Sequence, residues 1–385
     1  MGVEVNHEVV RWAVDRSRVP LDQLQRRFPK IREWTAGESQ PTLRQLESIA
    51  KATYTPLGFL FLEEPPPDEL PVPYFRTLDD ETPRGPSPHL LETIQTMQQR
   101  QAWMREYLID QGQERLAFVA SARPDEPAVS IAQRMRTALG FEEGWADELP
   151  SWTEALRVLR EAMEDAGILV VVNGIVGNNT HRSLDPDEFR GFVLVDEYAP
   201  LVFVNGADYK APQMFTLAHE LAHVFFGSSA AFDLRDTLPA NDPMEQMCNR
   251  VAAEFLVPEA ELRQAWASFR DDPERFQAIA RRFKVSSVVA ARRALDLGLI
   301  RREAFFGFYR EYQNREEQAA ARRPEGGDFY ANQNFRVGRR FGSAVIRAAR
   351  EGKLLYSEAF RLTGLYGKTF ERYASSVAGG GRGAE

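Results

Sequence analysis

The chain has 385 residues, of which 43% are hydrophobic and 27% charged, and its formal net charge at pH 7 is −8. This composition is typical of a soluble globular protein, and the length suffices for two or three domains. No apolar run approaches the roughly 20 residues of a membrane helix, and the first residues lack a signal-peptide pattern. A lone cysteine, Cys248, excludes an internal disulfide. We therefore expect a cytoplasmic protein without a membrane partner.

Residues 1–62 are predicted to form a small helical domain. Apolar side chains recur at helical spacing within residues 9–14, 21–28 and 43–50, and prolines separate these segments. Residues 63–88 are predicted to be an extended linker, because prolines recur throughout them. A helical connector is expected over residues 89–150.

Residues 151–300 are predicted to form an α+β domain. β-branched and apolar runs indicate strands over residues 168–172, 191–195 and 201–205, and the last two read as a hairpin. A helix follows at once, so we expect a small β-sheet with a helix packed on it. An all-α region is predicted over residues 301–378, and a disordered tail over residues 379–385.

The helix after the hairpin carries the sequence His219-Glu220-Leu221-Ala222-His223. Two histidines four residues apart project from one face of a helix and can reach one zinc ion at roughly 2.0–2.1 Å each. Glu220 lies on the neighbouring face, where it can act as a general base without binding the metal. The pattern therefore predicts a metallopeptidase site with a single zinc ion.

A catalytic zinc site needs a third protein ligand and an open fourth position. The helix predicted over residues 242–257 offers Glu245 and Glu254, and spacing favours Glu245 without deciding the choice. Cys248 is an alternative ligand, although a lone cysteine beside apolar residues is more often a buried small side chain. A peptidase can also use a donor for the oxyanion, and His181 and Tyr209 are two candidates between which the sequence does not choose.

Two stretches resemble the ImmA/IrrE family of metallopeptidases: residues 215–223, FTLAHELAH, and residues 245–258, EQMCNRVAAEFLVP. The hairpin over residues 189–205 is also similar to the family's approach to the site. The resemblance implies a zincin-like peptidase domain, and it implies that Glu245, four residues before Asn249, is the third zinc ligand. It further implies cleavage of a regulatory protein, typically a transcriptional repressor, in a stress or mobile-element response.

Residues 6–62 resemble the repressor-like, XRE-type helix-turn-helix domains that precede this peptidase in some relatives. Trp34, Gly37 and Pro41-Thr42 carry the likeness, which implies DNA binding through the major groove. Pro29 departs from it, because it stands where a turn and a full recognition helix are expected. The candidate phosphate-facing cluster comprises Arg26, Arg27, Lys30 and Arg32.

A second basic pattern, over residues 280–294, also resembles a helix-turn-helix, but we interpret it as completing the peptidase core. The sequence thus predicts a zinc endopeptidase of the HExxH type. The alternative is a DNA-binding regulator or antitoxin with a structural or vestigial metal site. The intact Glu220 favours the enzyme, since a structural zinc would not need it. The expected partners are a protein substrate, DNA at the N-terminal domain and a protein encoded beside this one.

Substrate binding at a strand is a further hypothesis from the order of elements. If residues 191–195 or 201–205 form a sheet edge, an extended peptide can add there as another strand.

Overall fold

The computed structural model describes residues 2–67, 74–75, 85–207, 210–232, 242–320 and 333–379. The chain divides into two compact units, Met1–Pro71 with Leu78–Thr96, and Val72–Thr77 with Met97–Glu385. Most of the predicted proline-rich linker and of the predicted tail lies outside the described residues. No helix of the described part is both long and apolar enough to cross a membrane.

The first unit is built from short helices around a shared apolar core. Its elements are α1 (His7–Arg16), α2 (Leu21–Arg27), α3 (Ile31–Ala36), α4 (Leu43–Ala52) and a 3-10 helix, Leu57–Phe61. Val10, Ile31 and Leu46 are among the buried residues of its core. Thr42 caps α4 through a reciprocal pair of hydrogen bonds with Gln45, as expected for a Pro-Thr helix start. Pro29 lies in the connection between α2 and α3, and α3 has six residues.

The second unit is mostly helical. One long helix, α5 (Pro88–Asp110), begins in the first unit and continues into the second from Met97. The others are α6 (Ala128–Leu139), α7 (Trp152–Asp165), α8 (Lys210–Phe226), α9 (Pro243–Leu256), α10 (Glu259–Phe269), α11 (Arg275–Phe283), α12 (Ser287–Asp296), α13 (Arg302–Ala320), α14 (Gln333–Val337), α15 (Arg339–Arg350), α16 (Tyr356–Thr363) and α17 (Lys368–Gly379).

A small sheet accompanies these helices, so the unit is a mixed α+β structure, consistent with a zincin-like domain. The strands are β1 (Tyr74–Phe75), β2 (Leu169–Asn173), β3 (Gly191–Leu194), β4 (Leu201–Asn205) and β5 (Ala230–Phe232), in the order β1-β5-β3-β4-β2. β3 and β4 pair antiparallel, with Phe192 opposite Phe203, which confirms the predicted hairpin. The three predicted strands agree with β2, β3 and β4 to within one residue.

The hypothesis that β3 or β4 forms a sheet edge is wrong. β4 lies between β3 and β2, and β5 pairs antiparallel with the other side of β3. β1 then pairs with β5. These extra strands have two and three residues, too few to show the alternation by which a strand is predicted from sequence. The outer strand β2 is contacted by α14, and a Cβ on Gly338 would lie 2.9 Å from the carbonyl oxygen of Val170.

The main core of the second unit lies between the sheet and the helices that follow it. α8 packs against β3, β4, α7 and α9, and α9 packs in turn against α6. Leu217, Leu221 and Val224 of α8 are fully buried in this core together with Val251 and Phe255 of α9. The two helices are thereby held against each other along the faces that carry the predicted site.

Candidate metal centre

α8 turns both histidines of the motif towards α9. His219 and His223 are fully buried, and their Nε2 atoms lie 3.1 Å apart. Four residues span about one helical turn, so the two rings come from adjacent turns of one face. The apolar residues on either side of them fix α8 in the core and leave the imidazole rings little freedom.

α9 supplies the acid. Asp242 caps this helix by accepting hydrogen bonds from the backbone N–H groups of Met244 and Glu245, at 2.7 and 3.2 Å. One turn inside the helix, the buried Glu245 carboxylate places Oε2 3.0 Å from His219 Nε2 and Oε1 3.1 Å from His223 Nε2. Among the described residues, His219, His223 and Glu245 form the cluster of three groups able to hold a metal ion.

The cluster fits a single zinc ion. Its candidate ligand atoms are separated by 3.0 to 3.1 Å. Ligands about 2.0 Å from a tetrahedral zinc ion lie roughly 3.3 Å from one another, so a small expansion of the cluster suffices. Two imidazoles and one carboxylate are also a donor set found in catalytic zinc peptidases.

Electrostatics set the protonation states that metal binding requires. Burial raises the pKa of Glu245, but hydrogen bonds with His219 and His223 outweigh it and lower this pKa to about 2. Burial is the main cause that lowers the pKa of His219. A carboxylate and a neutral imidazole are the forms that bind a divalent cation.

Asn249 orients one of the histidines. Its Oδ1 lies 3.0 Å from His219 Nδ1, on the side of the ring opposite the cluster. An acceptor there selects the tautomer with a proton on Nδ1, which leaves the Nε2 lone pair for a metal. The sequence alone predicts no role for Asn249 in the site. Its position one turn after Glu245 on the same helix was the signal that it faces α8.

Glu220 lies beside the cluster in a fully buried position. Neither of its carboxylate oxygens has a hydrogen-bond partner among the described residues. Burial, together with the charge of Glu245, holds the pKa of Glu220 well above its usual range. An unpartnered buried carboxyl costs free energy, so Glu220 does not stabilise the fold through a hydrogen bond of this carboxyl.

Gly191 on β3 provides the space for Glu220. A Cβ at this position would lie 3.0 Å from Glu220 Oε1 and 2.8 Å from Thr216 Cγ2. Any larger residue would therefore push the Glu220 carboxyl or α8 away from the strand. A glycine in a strand often marks such a close approach of a neighbouring group.

Glu254, the other acid considered on α9, has a different environment. Its carboxylate forms a buried ion pair with Arg293 of α12 and accepts a hydrogen bond from the Glu259 N–H at 3.2 Å. Arg136 of α6 donates a hydrogen bond to the backbone carbonyl oxygen of Glu254. Cys248 is buried outside the three-residue cluster, and burial raises the pKa of its thiol well above the usual value.

Neither candidate oxyanion donor is found in the cluster within the described part of the chain. His181 is an exposed residue whose backbone N–H donates to Asn179 Oδ1. Tyr209 lies outside the described residues.

The candidate DNA-facing residues all lie in the first unit, on its surface. Arg26, Arg27, Lys30 and Arg32 are exposed. Arg26 lies 3.6 Å from Asp22, Lys30 lies 3.5 Å from Glu33, and Arg32 donates to Gln25.

The basic pattern over residues 280–294 belongs to the main core of the second unit, as our interpretation predicts. Ile279, Phe283 and Ala290 of α11 and α12 are buried in the main core. Arg282 forms an ion pair with Asp147, and Arg293 is the buried partner of Glu254.

Comparison with known proteins finds two matches to family models. Residues 163–295 match the IrrE N-terminal-like domain (Peptidase_M78), and residues 337–376 match a domain of unknown function (DUF8813). No curated protein matches the chain. The first match contains β2, β3, β4, α8 and α9, and therefore the whole candidate centre. It implies a metallopeptidase that acts on protein and suggests a metal, typically zinc. Residues 163–295 are thus similar to the IrrE N-terminal-like domain, which supports placing this domain with the ImmA/IrrE family.

Proposed function

We propose that the protein is a zinc-dependent endopeptidase of the HExxH type. The observation that carries this proposal is the buried cluster of His219, His223 and Glu245, with ligand atoms 3.0 to 3.1 Å apart. Beside it lies the carboxyl of Glu220, which has no hydrogen-bond partner in the described part of the chain. A structural metal site needs the cluster alone. A buried acid without a partner next to the cluster is what a hydrolytic site requires in addition.

Each residue has a separate task in this proposal. His219, His223 and Glu245 hold the zinc ion, and Asn249 keeps His219 in the binding tautomer. When bound there, a zinc ion would supply Lewis acidity toward a water molecule and the scissile carbonyl. Glu220 accepts a proton from the attacking water as the water oxygen bonds to the carbonyl carbon. It then delivers this proton to the amide nitrogen as the C–N bond breaks.

The substrate we propose is a regulatory protein, in particular a transcriptional repressor cleaved in a stress or mobile-element response. The similarity of residues 163–295 to the IrrE N-terminal-like domain supports this class. A protein encoded beside this one is the first candidate.

DNA binding through the first unit is a second proposed function. The exposed cations Arg26, Arg27, Lys30 and Arg32 on α2, α3 and their connection support it. They can contact phosphates whichever elements approach the groove.

The experiment that tests the peptidase compares the zinc-loaded protein with its Glu220→Gln variant. Each is incubated with the soluble proteome of the source cells, and new protein N termini are identified by mass spectrometry. We expect cleavages that appear with the wild type and fall by about 10²-fold or more with the variant, while zinc content is unchanged. Equal cleavage by the two proteins would exclude the proposed role of Glu220.

A further inference from the structure

The last three helices form a basic region in an acidic chain. Residues 337–376 contain eight Lys or Arg and three Asp or Glu, whereas the chain has a formal net charge of −8. Residues 1–62, the predicted DNA-binding domain, contain nine Lys or Arg and seven Asp or Glu. The excess of positive charge is therefore larger in the C-terminal region. Its cations are Arg339, Arg340, Arg347, Arg350, Lys353, Arg361, Lys368 and Arg372.

α16 and α17 have the proportions of a helix-turn-helix. α16 has eight residues, residues 364–367 connect it to α17, and α17 has twelve. Gly364 opens the connection with a φ of 69°, a left-handed conformation that favours glycine. A turn of three or four residues that contains glycine is the hallmark of this motif.

Packing fixes the two helices as one body on α15. The ring of Phe360 on α16 contacts that of Phe370 on α17, with centroids 5.2 Å apart. α15 packs against both helices. A Cβ at Gly342 of α15 would collide with the Tyr373 hydroxyl, so the Tyr373 side chain of α17 lies directly against the backbone of α15.

The connection between α16 and α17 is also hydrogen-bonded to other parts of the second unit. The buried Arg100 of α5 donates hydrogen bonds to the carbonyl oxygens of Leu362 and Thr363, at 2.9 and 3.4 Å. Asn178 donates to the carbonyl oxygen of Gly364 at 2.9 Å. The end of α16 and the turn are therefore held rigidly, as a reading element requires.

One face of α17 is exposed. Lys368, Glu371, Arg372 and Ser375 follow one another at helical spacing and are all exposed, while Phe370, Tyr373 and Ala374 are buried. Arg361 of α16 is exposed as well. Neither Arg361 nor Lys368 has an ion-pair partner within the described part of the chain. This contrasts with the basic pattern over residues 280–294, in which Arg282 and Arg293 are paired with acids.

We propose that α15, α16 and α17 form a helix-turn-helix domain that binds double-stranded DNA, with the exposed face of α17 in the major groove. Phosphate contacts come from Arg361, Lys368 and Arg372. Glu371 and Ser375 lie on the same face, where their side chains can meet base edges. This inference does not depend on the metal centre or on the first unit.

The test measures binding of the full-length, zinc-loaded protein to a labelled DNA duplex of mixed sequence, by fluorescence anisotropy at several salt concentrations. The variant Arg361→Gln/Lys368→Gln/Arg372→Gln removes three cations from exposed positions. A matched control, Arg123→Gln/Arg270→Gln/Arg281→Gln, removes three exposed cations from elsewhere in the second unit. A third protein carries Arg26→Gln/Arg27→Gln/Lys30→Gln/Arg32→Gln, which isolates any contribution of the first unit.

We expect the C-terminal variant to bind about tenfold or more weakly at fixed salt, with a shallower salt dependence, because each lost phosphate contact removes about 0.9 from the slope. The matched control should stay within about twofold of the wild type. A Ser375→Glu variant, which adds a negative charge to the same face, should weaken binding as well. Unchanged binding by the C-terminal variant, an equal loss in the matched control, or no binding of duplex DNA by the wild type would each overturn the proposal. Preference for single-stranded DNA over the duplex would also overturn it.

Discussion

The two ends of α9 each bury a carboxylate, and they do so in opposite ways. Glu254, near the end of the helix, meets the guanidinium of Arg293 and accepts a backbone hydrogen bond. Glu245, near the start, meets two imidazoles, and beside it lies the Glu220 carboxyl, for which the described residues provide no hydrogen-bond partner. A buried charge is tolerated when a counter-charge accompanies it. At the Glu254 end the counter-charge is the side chain of Arg293. At the Glu245 end the side chains form a ligand set that can bind a metal cation.

We therefore expect the Glu254 end of α9 to contribute to stability and the Glu245 end to metal binding. Arg293, Arg136 and Glu254 tie α9 to α12 and α6, and so fix the helix that carries Glu245. Variants at the two ends should therefore separate into those that lose zinc and those that lose free energy of unfolding.

The largest effect is expected from Glu245→Ala. It removes one of three candidate zinc ligands and leaves two imidazoles that bind a divalent cation far more weakly. We expect loss of stoichiometric zinc, and with it loss of proteolysis, in native mass spectrometry and cleavage assays. Glu254→Ala is the matched control on the same helix and should retain one zinc ion per folded chain. If Glu245→Ala retained zinc and Glu254→Ala lost it, the two acids would be assigned the wrong way round.

Glu254→Ala should instead destabilise the fold. It leaves the Arg293 guanidinium buried without its counter-charge, with 8% of the side chain exposed. Breaking such a pair costs about 3–5 kcal/mol of free energy of unfolding, measured by chemical denaturation. Glu259→Ala, which breaks the exposed Arg263–Glu259 pair, is the control and should cost about 1 kcal/mol or less. Similar costs for both would show that the buried pair does not stabilise the fold.

Asn249→Ala should have the smallest effect of the three. It removes the acceptor for His219 Nδ1 but no candidate ligand, and losing such a partner weakens metal affinity by about 10- to 100-fold. Competition with a chelator of known affinity measures the change. Asn249→Asp keeps an acceptor at the same place and should restore most of the affinity. Equal weakening by alanine and aspartate would mean that the hydrogen bond is not what matters.

Short sequence patterns were sufficient to predict the hairpin, the helix that follows it and the pairing of its two histidines. The β3–β4 hairpin follows from β-branched runs, and its strands lie within one residue of the predicted bounds. The predicted helix that carries the two histidines is α8, the next element after β4. The i, i+4 spacing of His219 and His223 was sufficient to bring their rings together, because one helix carries both.

Contacts between segments that are distant in the chain could not be predicted from the sequence. Helical spacing could not separate Glu245 from Glu254, because the deciding partner of Glu254 is Arg293, 39 residues away. β1 and β5 are too short for any periodicity, and β5 is what removes β3 from the sheet edge. The α16–α17 motif could not be predicted from the sequence for a related reason. Its signal is a pair of left-handed glycines, Gly364 and Gly367, between two short helices, and only the described backbone reveals that conformation.

X-ray absorption spectroscopy of the zinc-loaded protein tests the central claim most directly. It reports the atoms that surround the ion in the folded chain. We predict one zinc ion per chain with two imidazole nitrogens at about 2.0–2.1 Å, oxygen ligands from Glu245 and solvent, and no sulfur. The Glu245→Ala variant should lose this spectrum, and Glu220→Gln should retain it. A sulfur ligand at about 2.3 Å, which would come from Cys248, or a spectrum with no imidazole, would contradict the assignment of His219, His223 and Glu245.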